Sequence, residues 1–135
     1  MALHERIEIV PRRKLADERG WFLKVINGRE RGLPDHTGEV YITCATEKGD
    51  VRGNHYHRKA TEWFTLIDGQ CLLKLEDVDS GESLTIELNQ DDPKTLVIPP
   101  GVAHAFINSD GNRFLLLAYT DELYDPADTI AFRVG

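Results

Sequence analysis

An all-β domain is the fold class this sequence predicts, and three observations carry it. About ten short stretches rich in Val, Ile, Leu, Phe, Tyr, Trp and Thr follow one another along the chain. Gly, Pro, Asn and Asp punctuate the gaps between them. No segment holds a helical period over a stretch long enough for a packed helix. So many short strands in 135 residues point to a closed β-sandwich or barrel.

Taken in order, residues 7–10 and 21–26 read as the first two strands. Residues 28–38 form a polar loop, with one helical turn expected near 29–32. The run 40–46, Val-Tyr-Ile-Thr-Cys-Ala-Thr, is dense in β-formers. Stretches 61–68 and 70–75 flank Gly69 and read as a hairpin in which glycine supplies a positive φ. The turn at 77–82 leads into a strand at 84–88. Strands at 95–98, 104–108, 114–119 and 130–134 complete the set. Pro99-Pro100-Gly101 forces a tight bend, because neither proline has an N–H to give a ladder. Residues 1–135 are read as a single domain without internal repeats.

Sixteen basic and 23 acidic residues leave a net charge of −7, which repels a phosphate backbone and argues against nucleic-acid binding. The longest apolar run, residues 114–119, is far short of a membrane span. The N-terminal residues have no apolar signal core, and Cys44 and Cys71 stand in no paired motif. Buried free thiols and a cytoplasmic location are therefore expected.

The chemistry concentrates in His55, His57, Glu62 and His104. His55 and His57 are spaced i, i+2, so an extended segment points both to one face. Glu62 can return to that face across a short turn, and His104 follows the Pro-Pro-Gly bend. Three imidazoles and a carboxylate suit a divalent Zn, Fe, Mn or Ni ion rather than a thiolate-selected metal.

The pattern Gly49-x5-His55-x-His57-x4-Glu62-x6-Gly69, followed by Pro99-x-Gly101-x2-His104-x3-Asn108, resembles the two signature motifs of the cupin superfamily. The resemblance implies a jelly-roll β-barrel with its metal ligands inside the mouth; Asn108 itself reads as a strand-end hydrogen bonder rather than a ligand. Asp17-Glu18-Arg19-Gly20-Trp21-Phe22, Arg52-Gly53-Asn54-His55-Tyr56, 98–106 and Tyr124-Asp125-Pro126 resemble segments of nucleotide-sugar 3,5-epimerases. That likeness implies His55 as general base, a tyrosine near Tyr124 as acid, and Arg19 and Arg52 on the sugar nucleotide. Two departures stand out: the epimerases usually have Gln at position 57 and need no metal, and they continue further to supply an Asp that orients the base. The run 52–57 with Glu62 is most similar to the metal-binding C-terminal cupin domain of capsular polysaccharide assembly proteins. Sugar-nucleotide 3,4-ketoisomerases are a further likeness.

The combined expectation is a metal-binding cupin acting on a nucleotide-linked 4-keto sugar as isomerase or epimerase in polysaccharide biosynthesis. A non-catalytic, metal-stabilised assembly module and an iron-dependent oxygenase are the alternatives. Tyr124 and Tyr119 are the acid candidates, and Lys59 and Arg58 add cations for a diphosphate. His55 carries a conflict, since an imidazole lone pair bound to a metal cannot accept a proton. A homodimer is expected, because sheet edges need cover.

Overall fold

The computed structural model describes residues 1–135. The chain runs α1 (Leu3–Arg6), β1 (Glu8–Pro11), β2 (Lys14–Asp17), β3 (Gly20–Leu23), β4 (Val40–Ala45), β5 (Val51–Tyr56), β6 (Glu62–Asp68) and β7 (Gln70–Asp77). It continues with β8 (Ser83–Asn89), β9 (Lys94–Ile98), β10 (Val102–Ile107), β11 (Phe114–Thr120), a single 3-10 turn (Pro126–Asp128) and β12 (Ile130–Ala131).

Strand alternation builds two facing walls. On β11, Phe114, Leu116, Ala118 and Thr120 are buried, while Leu115, Leu117 and Tyr119 take the other face. On β7 the same period buries Cys71, Leu73 and Leu75. One antiparallel sheet has the order β1-β9-β6-β11-β4, and the other the order β12-β5-β10-β7-β8. They close into a jelly-roll barrel whose core holds Leu73, Leu75, Leu96, Ile98, Phe106, Phe114 and Leu116. β6 is buried from Glu62 to Leu66 on both faces. The loop before β4 is tied to the neighbouring β9: Arg12 donates to Thr95 Oγ1 and pairs with Glu30, Thr95 Oγ1 lies 2.9 Å from the Val25 carbonyl oxygen, and the same hydroxyl is 2.8 Å from Thr65 Oγ1 of β6.

Several expectations shift. β2 lacks β-forming side chains and becomes a strand by pairing with β3, a hairpin joined to neither wall. β3 ends at Leu23, short of the expected residue 26. β5 is a strand that its Gly53-Asn54 pair hides from propensity, since both residues have positive φ. The helical turn expected near residues 29–32 is a hydrogen-bonded turn from Glu30 N–H to the Asn27 carbonyl. A short helix appears at Leu3–Arg6 instead, with Leu3 in the core. The last strand keeps two residues of the expected five. Gly69 does turn the β6–β7 hairpin at φ +88°, and a Cβ there would come within 2.6 Å of the Arg113 carbonyl oxygen.

A candidate metal centre in the barrel mouth

Three elements bring the four chemistry-bearing side chains together. His55 near the end of β5 stands opposite His104 on β10, where the ladder slips by one residue. Gly53 makes this slip possible: its φ is +119°, and a Cβ would sit 2.6 Å from the His104 carbonyl oxygen. His57 follows β5 on the face of His55, and Glu62 opens β6 on the opposite wall. The donor atoms of all four lie within 4.8 Å of one another, the scale set by two bonds of about 2 Å to one shared ion.

Glu62 and His104 are 3% and 1% exposed. Glu62 Oε1 lies 3.0 Å from His57 Nε2 and 3.4 Å from His104 Nε2, yet none of these atoms makes an aligned hydrogen bond. Buried polar atoms without partners are costly, and three of them converging from two sheets, with His55 beside them, is the donor set of a cation site. The residues therefore fit a divalent ion.

The electrostatics follow from burial. Burial pushes the His104 imidazole down to about 4 and also lowers His55. Burial would raise Glu62, but His57, His104 and His55 hold its carboxyl below the usual carboxylate range. Burial would lower His57, but the Glu62 carboxylate beside it raises it.

Two cavities meet at this cluster. The mouth, about 280 Å³, is lined by His55, His57, Tyr41, Tyr124 and five carboxylates: Glu39, Glu62, Glu122, Asp125 and Asp128. It has no Lys or Arg. A narrower slot of about 70 Å³ opens between β4 and β5, lined by Tyr41, Thr43, Arg52, His55, His104 and Phe106, with no carboxylate. His55 and Tyr41 border both.

Not every expected residue arrives. Tyr119 sits on the outer face of β11, stacked on Trp63 at 5.2 Å, because its parity is opposite to that of Thr120. It does not reach the cluster. Arg19 is on the β2–β3 hairpin, paired with Asp17 and exposed. Lys59 is exposed beside the mouth and contributes only its backbone N–H to a defined bond, with Asp128. Tyr124 lines the mouth, and Arg52 lines the slot. Asn108 caps a strand end as expected, donating to the Ala45 and Asn112 carbonyls.

Two site residues escaped the sequence reading. Tyr41 faces inward, its hydroxyl donating to Glu62 Oε2 at 3.4 Å, and burial followed by Glu62 raises its pKa. Asp128 accepts from the backbone N–H groups of Arg58, Lys59 and Ala60, and its carbonyl oxygen lies 2.7 Å from His57 Nδ1. The parity of a strand could have signalled Tyr41. Nothing local signals Asp128, whose partners are about 70 residues away.

A jelly-roll barrel with three histidines and a glutamate in its mouth defines a cupin. The family model for the polysaccharide biosynthesis C-terminal domain matches residues 15–132, and the chain belongs to that family. It is 28% identical over 118 residues to the spore coat polysaccharide biosynthesis protein SpsL of Bacillus subtilis, covering 84% of this chain and 77% of that one. It is 25% identical over 122 residues to a UDP-2-acetamido-2,6-beta-L-arabino-hexul-4-ose reductase of Pseudomonas aeruginosa, covering 89% of this chain. The chain spans about a third of that reductase, 31% of its length. Among solved structures, QdtA, a sugar 3,4-ketoisomerase from Thermoanaerobacterium thermosaccharolyticum in complex with TDP, superposes with a TM-score of 0.75 at 27% identity, covering 93% of this chain and 87% of that one.

Proposed function

We propose that residues 1–135 act as one cupin domain that isomerises or epimerises a nucleotide-linked 4-keto hexose in polysaccharide synthesis. The observation that carries this reading is the position of His55. Burial lowers its pKa, it borders both cavities, and it makes no ion-pair contact with Glu62. It is the imidazole left free to take a proton. His57, Glu62 and His104, the three in closest approach, would hold a divalent ion, which when bound supplies Lewis-acid stabilisation of charge on the sugar's carbonyl oxygen.

The polarity of the two cavities orients the substrate. Arg52 in the carboxylate-free slot pairs with the diphosphate, since a guanidinium fork matches phosphate oxygens. The carboxylate-lined mouth repels that anion and accepts hydrogen bonds from the sugar hydroxyls. A 4-keto group acidifies the adjacent C–H; His55 removes that proton, and Tyr124 at the mouth returns one. Cytoplasmic residence suits such a substrate, and both cysteines are free thiols.

The active form is a homodimer. Hairpin β2–β3 exposes Leu15, Trp21 and Phe22, and the edge strand β4 exposes Val40 and Ile42. A two-stranded hairpin alone is marginal in water. A second copy covers both surfaces and gives Arg19 a cavity other than its own.

The test is hydrogen exchange in heavy water. With the metal-replete protein and thymidine- or uridine-linked 4-keto-6-deoxyhexose, deuterium enters C3, or C5 for an epimerase, even where turnover is slow. His55→Ala abolishes exchange. Without exchange on either substrate, the isomerase reading gives way to a non-catalytic binding module.

A further inference from the structure

The four-residue link between His57 and Glu62 sets the distance between two of the candidate ligands, and it has no sheet to hold it. Its backbone N–H groups need acceptors. The C-terminal segment supplies every one. Asp128 takes the N–H groups of Arg58, Lys59 and Ala60 at 2.7–3.3 Å, and Asp121 takes that of Thr61 at 2.9 Å. The same Asp128 offers its carbonyl oxygen to His57 Nδ1 at 2.7 Å, which leaves Nε2 turned toward Glu62. Asp128 is itself 8% exposed and is fixed in a 3-10 turn, where Asp125 caps Ala127 N–H. β12 then clips the segment to Tyr56 and His55.

We propose that Asp128 is a positioning residue of the metal centre. Its carboxylate holds the 58–60 backbone, and its carbonyl fixes which nitrogen of His57 faces the ion. The proposal rests on the metal reading above. Outer partners of this kind orient a ligand and fix its tautomer, and their loss costs about 10- to 100-fold in metal affinity.

The experiment compares wild type, Asp128→Ala, Asp128→Asn and Asn108→Ala, using Co(II) as the ion and a competing chelator. Asn108 binds the Ala45 and Asn112 carbonyls just past β10, outside the cluster, so Asn108→Ala lowers stability without touching a ligand. Asp128→Ala is expected to weaken Co(II) binding about 10- to 100-fold and to change its d–d absorption. Asp128→Asn, keeping one acceptor oxygen, falls between. Asn108→Ala keeps wild-type affinity and spectrum at a comparable drop in Tm.

Equal loss of affinity in Asp128→Ala and Asn108→Ala would overturn the proposal, as would wild-type affinity and spectrum in Asp128→Ala. If Asp128→Ala does not fold, Asp128→Asn decides by the same readouts. A wild type that binds no ion sinks the metal reading instead. The positioning claim is then read in metal-free protein from the His57 Nδ1–H resonance in 15N-labelled samples, slow to exchange in wild type and fast in Asp128→Asn. Equal exchange in both would reject it.

Discussion

At the scale of single residues, the proposed function divides two jobs among three histidines. His57 approaches Glu62 at 3.0 Å, whereas His55 borders both cavities and stands apart from the carboxylate. His57→Ala should therefore strip the ion, with a loss of affinity beyond the about 100-fold typical of an outer partner. His55→Ala should keep the ion and lose proton exchange. Elemental analysis of gently purified variants, beside the exchange assay, reads both. Arg52→Ala should raise KM for the nucleotide sugar with little change in kcat, because a diphosphate contact held equally in the ground and transition states is uniform binding.

The same residues set the pH response of the metal-free protein. His104 is pushed by burial to about 4, against 6.5 for an ordinary imidazole. Below pH 6.5 the unfolded chain gains a proton that the folded one refuses, so stability falls with pH down to about 4. The loss is up to about 3 kcal/mol. His55, also lowered, adds to this fall. Raised His57 has the opposite sign: its contribution is complete below 6.5 and disappears as pH rises through its folded value. Lowered Glu62 contributes above its unfolded value and loses that contribution on acidification. Urea midpoints should peak near neutrality and drop toward pH 5. His104→Phe should flatten that acid limb.

At the scale of elements, the centre depends on how β5 meets β10. Gly53 at φ +119° lets the two backbones close on each other, and a methyl there meets the His104 carbonyl at 2.6 Å. Gly53→Ala should destabilise by about 2–3 kcal/mol, combining backbone strain with a clash that has nowhere to go. Gly81, at φ +79° with nothing within 4 Å, shares only the conformational cost, so Gly81→Ala should cost about 1 kcal/mol. Urea denaturation of the pair measures the difference. Gly53→Ala should also weaken metal binding, because the displaced strand carries His55 and leads into His57.

At the scale of the whole molecule, the exposed hairpin and the bare β4 edge call for a second copy. Sedimentation should give twice the 15.3 kDa chain mass at micromolar concentration. Trp21→Ala with Phe22→Ala should shift it to monomer while the barrel's circular dichroism stays intact. Monomeric wild type at that concentration would refute the dimer.

Period-two alternation and turn residues made the barrel legible in the sequence, because burying one face of each strand leaves its mark on neighbouring positions. His55, His57 and Glu62 were legible for a related reason: their spacing fits one strand, a short link and the next strand. What lay beyond the sequence was everything set by partners far along the chain. Gly53 and Asn54 read as a strand breaker until β10 accommodates their left-handed backbone. Lys14–Asp17 has no strand signal until β3 pairs with it. Tyr119 and Tyr41 exchange places as site residues because parity relative to the core, rather than residue type, decides which side chain reaches the mouth. Asp128 acts on amides about 70 positions away, and only closure of the barrel brings that carboxylate to them. The local chain thus determined which chemistry was present, and the tertiary structure decided which groups share a cavity, because proximity between distant residues is a property of the closed fold.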